Sequence, residues 1–406
     1  MRKISIFLAF SAVISSLYGG GFQVNLQCTR LLGMGHAGTA MTLGPSSVFF
    51  NPGAITFTNP GIQAGASLVF ANISISEHAP AQTTYNNLPN MGTPFGLYAT
   101  EKINDKLFFG LGVYTPFGST IEYPANWFGR FALTKMSLKT IFFQPTVAYK
   151  ISDKISLGAS YVLATGSVSL DKDIPAQFSD GTYASANLSS SARGHGFTGG
   201  IYFQATEQLS IGLSHRSSIR VQTNGGIATF NVPEALEEFF PRTGFNTTLN
   251  LPSTTSLGFG YKYTEKLTLT AELNYVAWSV YDTLGFDFEI NTDRLEDQAS
   301  PRLYSNSFIY RLGAQYELNE KLQLRAGIYF DMTPVGDDYI TPESPDVNKI
   351  GFTTGLTYTI SEKFKLDAAF LYLEGMKRTA TNAETQFGGT FKSRAFIPSF
   401  SFNYIF

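Results

Sequence analysis

The sequence predicts an all-β protein, a closed antiparallel barrel of 14 strands that spans a membrane. Three observations predict this fold class. An export leader stands at the N-terminus, apolar and polar residues alternate with a period of two, and six similar polar turns recur along the chain. Together they describe a chain that is exported and then crosses a membrane with strands.

The leader occupies residues 1–20. Residues 1–3 are a basic start, residues 4–17 form an apolar run, and small residues follow at positions 19–21. This layout is that of a secretory signal peptide. We expect cleavage near Gly20, so that the mature chain begins close to Gly21. A buried N-terminal helix is the alternative for this segment.

Composition separates the chain from soluble and helical membrane proteins. Aromatic residues make up 15% of it, and charged residues also 15%, against about 25% charged residues in soluble domains. Beyond the leader, no run approaches the ~18 apolar residues of a spanning helix. A barrel reconciles these facts, because alternate residues of each strand face lipid. The net charge of −2 gives no reason to expect a nucleic-acid partner.

Six polar turns indicate the number of strands. Each follows a strand-like segment that carries Tyr and precedes alternating apolar residues. Outer-membrane barrels have short turns on one side and long loops on the other. With both termini on the side of the short turns, six turns imply seven hairpins and 14 strands. A soluble repeat protein is the alternative. The turns lie at residues 98–106, 149–154, 202–207, 261–266, 316–321 and 358–363.

Alternation within the strands supports this count. Residues 267–275 and 322–330 both place apolar side chains at every second position, which sends one set to lipid and the other to the lumen. The last strand ends on Phe406, an aromatic terminus of the kind that barrel-assembly machinery typically reads. We therefore expect that machinery as a partner. We also expect a monomer in a bacterial outer membrane, with both termini in the periplasm.

The segment before the strands is rich in glycine and resembles part of a known family. Residues 21–25 (GFQVN), 32–40 (LGMGHAGTA) and 46–53 (SSVFFNPG) resemble the N-terminal hatch of the long-chain fatty acid transporter (FadL/TodX) family. Residues 114–118 (YTPFG) and 122–130 (EYPANWFGR) are similar to the same family. The resemblance covers the whole mature chain.

The resemblance implies a hatch, residues 21–60, that plugs the lumen of a barrel formed by residues 61–406. Members of the family move hydrophobic compounds across the outer membrane passively. The resemblance further implies that Asn51 and Pro52 latch the hatch, and that a kink in the third strand opens the wall for sideways exit. An inner pocket would lie beside the mature N-terminus, at Phe22. Asn-Pro is also common in ordinary turns, which is the alternative for this pair.

The third strand carries residues that suit a local break. Proline cannot donate a hydrogen bond to a sheet ladder, so it marks an edge or a bulge. A plain strand end at Thr115 is the alternative. The residues assigned to a lateral opening are Gly110, Gly112, Pro116, Phe117 and Gly118.

A long loop offers apolar residues for capture of substrate. Residues 233–240 suit a short helix, because Pro and Glu stand at its start. Leu236, Phe239 and Phe240 would share one face, and with Phe178 of another loop they would form a groove. Packing of the loop on itself is the alternative.

The alternation of inward and outward positions along each strand, which we call parity, places several charged residues in the lumen, where they avoid lipid. We hypothesise that Arg216 and Arg325 bind a substrate carboxylate, and the alternative is pairing with lumen acids. The residues assigned to the lumen are Arg216, Arg220, Arg311, Arg325, Lys365, Glu272, Asp331 and Asp367.

No catalytic constellation is apparent. The four His residues fit no metal spacing and no nucleophile motif, so we expect no enzyme activity, metal or cofactor. Residues 33–38 match G-x-G-x-x-G, but without a βαβ unit the glycines indicate close packing rather than dinucleotide binding. A general diffusion porin, an outer-membrane enzyme acting on lipids and a surface adhesin remain alternatives. Fatty acids and aromatic hydrocarbons are both possible substrates.

Overall fold

The computed structural model describes residues 20–406 and consists mainly of strands. The predicted signal peptide lies outside the described residues except for Gly20. The strands are β1 Gly61–Ser67, β2 Phe70–Ser76, β3 Thr84–Asn86, β4 Phe95–Lys102, β5 Leu107–Tyr114, β6 Gly118–Glu122, β7 Lys135–Lys150, β8 Ile155–Gln177, β9 Tyr183–Gln204, β10 Leu209–Arg216, β11 Ile219–Asn231, β12 Thr243–Asn246, β13 Thr248–Leu251, β14 Thr254–Lys262, β15 Leu267–Val276, β16 Thr283–Phe288, β17 Gln298–Pro301, β18 Ser307–Glu317, β19 Leu322–Asp331, β20 Lys349–Thr359, β21 Phe364–Gly375, β22 Arg378–Thr381 and β23 Gly388–Ile405.

Helices are few and short. Two single-turn α-helices precede the strands, α1 (Thr29–Leu32) and α2 (Ser47–Phe50). Within residues 20–406, no helix has the length and apolar character needed to cross a membrane. The 3-10 helices span Pro52–Phe57, Glu234–Phe239, Trp278–Val280 and Asp337–Tyr339.

The strands close into an antiparallel barrel of 14 strands, as predicted. Closure comes from β1, which pairs with β23 along its whole length, from Gly61 opposite Ile405 to Ser67 opposite Ser399. Several barrel strands are interrupted. The first consists of β1 and β2, the second of β4 and β3, the third of β5 and β6, and the seventh of β10 and β11.

All six predicted turns join neighbouring strands. The first separates β4, which ends at Lys102, from β5, which begins at Leu107. The last separates β20, which ends at Thr359, from β21, which begins at Phe364. The other four connect β7 to β8, β9 to β10, β14 to β15 and β18 to β19. The strand number predicted from the polar turns is therefore correct.

Along the long barrel strands, exposed apolar side chains alternate with buried side chains, many of which are polar. In β15, Leu269 and Leu273 are exposed, whereas Thr270, Glu272 and Asn274 are buried. The same alternation recurs in the other long strands. Exposed apolar residues at every second position are what lipid contact requires, since a lipid-facing Arg or Lys at mid-membrane costs about 2–4 kcal/mol.

One predicted lumen residue, Arg220, lies on the outer face instead. The seventh barrel strand is interrupted after Arg216, and β11 resumes at Ile219. Ser217 takes part in the interruption by accepting the Phe197 amide on its side-chain oxygen at 3.0 Å. Ile219 and Val221 are buried and Arg220 is exposed. Because the interruption shifts the alternation by one residue, parity counted through it gives the wrong face.

Candidate functional site: a lumen cavity beside the broken third strand

The third barrel strand is broken in its middle. β5 ends at Tyr114 and β6 begins at Gly118. β5 pairs with both β4 and β7, but the ladder of β6 within the described chain is with β7. Pro116 stands in the interruption, where its missing N–H removes no ladder bond.

The break leaves a gap between the second and third barrel strands. At its inner end the Thr115 amide donates to the Phe95 carbonyl at 3.3 Å. At its outer end the Leu88 amide donates to the Glu122 carbonyl at 2.7 Å. Between these points the Asn90 side chain donates to the Thr120 carbonyl at 2.8 Å. A few side-chain and single backbone hydrogen bonds thus replace the continuous ladder that would otherwise join the second and third barrel strands.

Residues 22–24 lie against this break from inside. Gln23 forms an isolated antiparallel bridge with Phe117. The Val24 amide donates to the Pro116 carbonyl at 2.8 Å, and the Gly118 amide donates to the Phe22 carbonyl at 3.2 Å. Residues 116–118 of the interrupted strand therefore pair with the N-terminal segment, residues 20–60.

A cavity of about 820 Å³ lies beside the break. This volume is in the range of small-molecule sites, about 300–1,000 Å³. The N-terminal segment, the first barrel strand and the third barrel strand all contribute apolar side chains to it. Its apolar lining includes Phe22, Val24, Leu26, Val69, Ala71, Ile73 and Phe117.

Aromatic side chains surround Phe22 at this cavity. The Phe22 ring is 4.9 Å from the Trp278 ring, 5.6 Å from the Tyr281 ring and 6.0 Å from the Phe117 ring. Phe22 and Phe117 were predicted from the sequence. Trp278 and Tyr281 were not, and neither were Val69 and its neighbours, because no local motif marks residues that meet only in the folded barrel.

One wall of the cavity is charged. The Lys349 ammonium is 2.6 Å from Asp346 Oδ1, and the Gly21 amide donates to Asp346 Oδ2 at 2.8 Å. Asp331 is buried beside them and lines the same cavity. The paired charges hold the first residues of the N-terminal segment at this point.

Asn51 and Pro52 join the N-terminal segment to the opposite wall. The fully buried Asn51 amide donates to the carbonyls of Thr39 and Ile201, both at 2.9 Å. Asn51 Oδ1 accepts the Gly53 amide at 3.1 Å. Pro52 lies where Gly158 leaves room, since a Cβ there would be 2.3 Å from the Pro52 carbonyl carbon.

Other glycines also give close approach. An added Cβ on Gly110 would lie 2.6 Å from Val48 Cγ2, and one on Gly112 would lie 3.1 Å from Val48 Cγ1. In the G-x-G-x-x-G stretch, Gly35 has a φ of +66° and lies against the Leu312 carbonyl. The close packing at Gly35 agrees with the prediction for the G-x-G-x-x-G stretch, whereas Gly110 and Gly112, which the sequence assigned to a lateral opening, accommodate Val48 of α2.

Arg216 lies at a small polar cavity elsewhere in the lumen. Its guanidinium is 4.3 Å above the Phe49 ring and donates to the Phe49 carbonyl at 3.2 Å. This second cavity has a volume of about 50 Å³ and is also lined by Glu272 and Arg311. His36 borders it too. Burial, and then the Arg311 charge, hold the pKa of His36 well below its usual value, so its neutral ring accepts the Gln27 amide at 3.3 Å.

Arg325 is held by neighbouring side chains. It donates to Gln315 at 2.9 Å, to Thr357 at 2.7 Å and to Gln323 at 3.0 Å. It lines neither of these two cavities. The structure therefore brings Arg216, but not Arg325, to a cavity.

The predicted capture residues lie in the outer loops. The expected short helix is the 3-10 helix Glu234–Phe239, with Leu236 and Phe239 half-buried on it. Phe240 packs on Phe230 at 5.5 Å, within a small apolar cluster of its own loop region. Phe178 stands at the tip of the β8–β9 hairpin, where its amide donates to the Thr182 carbonyl.

A metal site is not apparent in the described part of the chain. Residues 20–406 hold no group of three or more His, Cys, Asp or Glu that could bind a metal ion.

Comparisons with known proteins agree with this architecture. The model of the outer membrane protein transport protein family (OMPP1/FadL/TodX) matches residues 10–406. The chain is 22% identical over 444 residues to the long-chain fatty acid transport protein of Escherichia coli O6:H1, with 100% of this chain and 98% of that protein covered.

Solved structures share the fold. A Pseudomonas aeruginosa FadL homologue has a TM-score of 0.84 at 20% identity, covering 95% of this chain and 100% of that one. The toluene transporter TodX of P. putida has a TM-score of 0.72 at 18% identity, covering 96% and 99%. The chain therefore belongs to the OMPP1/FadL/TodX family of outer-membrane transport proteins, whose members are transporters and not enzymes.

Proposed function

We propose that this protein is a passive carrier of hydrophobic compounds, which leave its lumen sideways through the gap in the third barrel strand. One observation carries the proposal. A mainly apolar cavity of about 820 Å³, charged along one wall, is lined on one side by the N-terminal segment and on the other by the broken strand. Apolar molecules gain about 25 cal/mol per Å² of surface removed from water, so their overall transfer from water through the cavity to the bilayer needs no energy source.

In this proposal residues 21–60 act as a hatch. Phe22 lines the cavity, and Asn51 and Pro52 hold the far end of the segment to β8 and β9. Displacement of the first residues would remove the partners of Pro116 and Gly118 and widen the gap. The hatch would thus open at its N-terminus while its latch remains closed.

We propose fatty acids or aromatic hydrocarbons as the substrate class. The relatives include a long-chain fatty acid transport protein and a toluene transporter. In the cavity, Lys349 is paired with Asp346 and lies beside Asp331. Entry would follow the apolar loops that carry Phe178, Leu236, Phe239 and Phe240. Arg216, which borders the second cavity, is the candidate for a carboxylate contact.

The position of the C-terminus bears on the orientation of the barrel in the membrane and on its assembly partner. The Phe406 amide donates to the Pro60 carbonyl at 3.2 Å, and the Ile405 amide to the Lys363 carbonyl at 2.8 Å. Lys363 lies in a short turn, so the C-terminus is on the side of the short turns. We propose that this side is periplasmic, that Phe406 is read by the assembly machinery, and that the barrel works as a monomer.

The test is uptake by a strain that lacks the protein and carries a variant. Val69→Trp fills the cavity from the first barrel strand, whereas Leu257→Trp adds the same bulk to the lipid-facing surface. We expect Val69→Trp to lower uptake of radiolabelled oleate, toluene or both by tenfold or more, and Leu257→Trp to leave it unchanged. Equal uptake by the two variants would overturn the proposal.

A second arm addresses water-soluble solutes. Liposomes that contain the purified barrel should not swell rapidly in small sugars, because the N-terminal segment occupies the lumen. Rapid swelling would identify a diffusion porin instead. The choice between oleate and toluene as the better substrate is read from the first arm.

A further inference from the structure

The outer surface of the barrel carries a group of basic side chains. We call Lys139 of β7, Arg193 and His195 of β9, and Arg220 of β11 the basic patch. All four side chains are exposed. Arg193, His195 and Arg220 line neither of the two cavities described above, whereas Lys139 borders the 820 Å³ cavity beside the gap.

Alternation places the patch outside the barrel. Lys139 has the parity of the exposed Phe143, and Arg193 and His195 have the parity of Phe197, which is 59% exposed. Arg220 lies between the buried Ile219 and Val221. The four side chains therefore lie on the outer face of the barrel, where Lys139, next to the gap, also borders the 820 Å³ cavity.

Strand register brings the four residues together. Lys139 lies opposite Ser167, and Ser167 lies opposite Ser191, two residues before Arg193. Arg193 lies opposite Gln222, two residues after Arg220. Since neighbouring strands are about 4.8 Å apart, the patch extends across four strands, or about 15 Å.

The patch lies at the edge of the apolar band. Tyr161 and Phe197, 50% and 59% exposed, stand directly next to it on the outer face. Exposed aromatic residues of this kind mark the membrane–water interface. On β7, the outward residues from Tyr149 to Ile141 are uncharged, and Lys139 is the first charge beyond them. The basic side chains thus start at the depth of the lipid headgroups.

The patch has no acidic partner among residues 20–406. The ion pairs of the described chain include none of its four residues. The next acid on the outer face of β8 is Asp171, which already accepts a hydrogen bond from Asn187. Three permanent positive charges therefore face the headgroup layer without neutralisation.

We propose that the basic patch binds the phosphate groups of a phosphorylated lipid of the outer leaflet. Each guanidinium offers a planar fork of donors that matches a phosphate. The Tyr161 hydroxyl is hydrogen-bonded to His195 Nδ1, which fixes the ring with Nε2 free for a further partner. A lipid, rather than free phosphate, is the occupant because apolar side chains for its acyl chains lie directly beside the charges.

This inference is independent of the transport proposal but depends on the orientation with short turns in the periplasm. Lipid binding here would anchor the barrel at a fixed depth. It would also place an ordered lipid on the β7–β11 side of the wall, next to the third barrel strand.

The test is native mass spectrometry of the folded barrel in detergent with three probes: bis-phosphorylated lipid A, the same lipid without phosphates, and inorganic phosphate. The Arg193→Gln/Arg220→Gln variant is compared with Lys321→Gln/Lys363→Gln, which removes two exposed charges from the short turns. Folding of each variant is checked by its heat-dependent electrophoretic mobility.

We expect wild-type protein and the turn variant to bind one phosphorylated lipid, and the patch variant to bind it at least about tenfold more weakly. This is the effect of losing about 1.4 kcal/mol. The proposal is overturned if the patch variant binds equally, or if the phosphate-free lipid binds as well. Competition by inorganic phosphate at equal concentration would also overturn it, because the occupant would then be the free anion.

Discussion

The Asn51 side chain connects two parts of the N-terminal segment with each other and with the barrel wall. Its side chain bonds Thr39 on one side and Ile201 on the other, and it caps Gly53. The resemblance in the sequence pointed to Asn51, but its partner on β9 could not be predicted. The two residues are 150 positions apart, and no local pattern encodes such a contact.

Asn51→Ala should loosen the segment without unfolding the barrel. The substitution leaves buried polar groups without partners, which costs about 1–3 kcal/mol for each group. Hydrogen exchange of residues 29–57 should accelerate, and single-channel recordings should show more frequent openings. Asn246→Ala, at an exposed position, is the control. Unchanged exchange in Asn51→Ala would mean that the segment is held elsewhere.

Two adjacent glycines provide a sharper comparison. A Cβ on Gly200 would lie 2.2 Å from Asn51 Oδ1 and 2.7 Å from Pro52 Cδ, whereas one on Gly199 would meet nothing within 4 Å. Gly200→Ala should displace the latch at a cost of about 1–3 kcal/mol. Gly199→Ala should change stability by no more than about 0.5 kcal/mol. Thermal unfolding and limited proteolysis would measure both, and equal effects would contradict the assigned packing.

Interruptions within strands decide which residues reach which face. Pro116 predicted an irregularity in the third strand, and the break lies there, between Tyr114 and Gly118. The interruption before Ile219 gave no such signal, because Ser217 and Ser218 fit a continuous strand. Parity therefore failed for Arg220 and succeeded for Arg216 and Arg311, which precede or lie far from the interruption.

The gap should be visible in the amide protons of β6. The Thr120 and Glu122 carbonyls point to the gap, where they accept from Asn90 and Leu88. In an antiparallel strand the N–H and C=O of one residue point the same way, so the Thr120 amide faces the gap and the Ile121 amide faces β7. NMR in detergent micelles should show fast exchange at Thr120 and slow exchange at Ile121. Equal protection of the two would indicate a closed wall.

For the whole molecule, the sequence predicted the features that recur along the chain, the strands and turns. It did not predict the cavity, which forms from distant segments. The number of strands followed from the six turns, and the lipid-facing surface followed from the alternation of apolar residues. Both features are determined by short stretches of sequence. The cavity was not predictable in detail. It combines Phe22, Val69, Phe117 and Asp346, which meet only after the barrel has closed around the N-terminal segment.

The most direct test of sideways exit is to close the gap reversibly. Asn90→Cys/Thr120→Cys places two thiols across it, and Thr379→Cys/Thr390→Cys places two on paired residues of β22 and β23, away from the gap. The native Cys28 is buried and common to both variants.

Each thiol pair is joined with a short reducible cross-linker, and uptake of radiolabelled oleate and toluene is measured in cells. Cross-linking of positions 90 and 120 should lower uptake of the transported compound at least tenfold, and reduction should restore it, while the control pair has no effect. Undiminished uptake with the gap cross-linked would contradict exit through the third barrel strand.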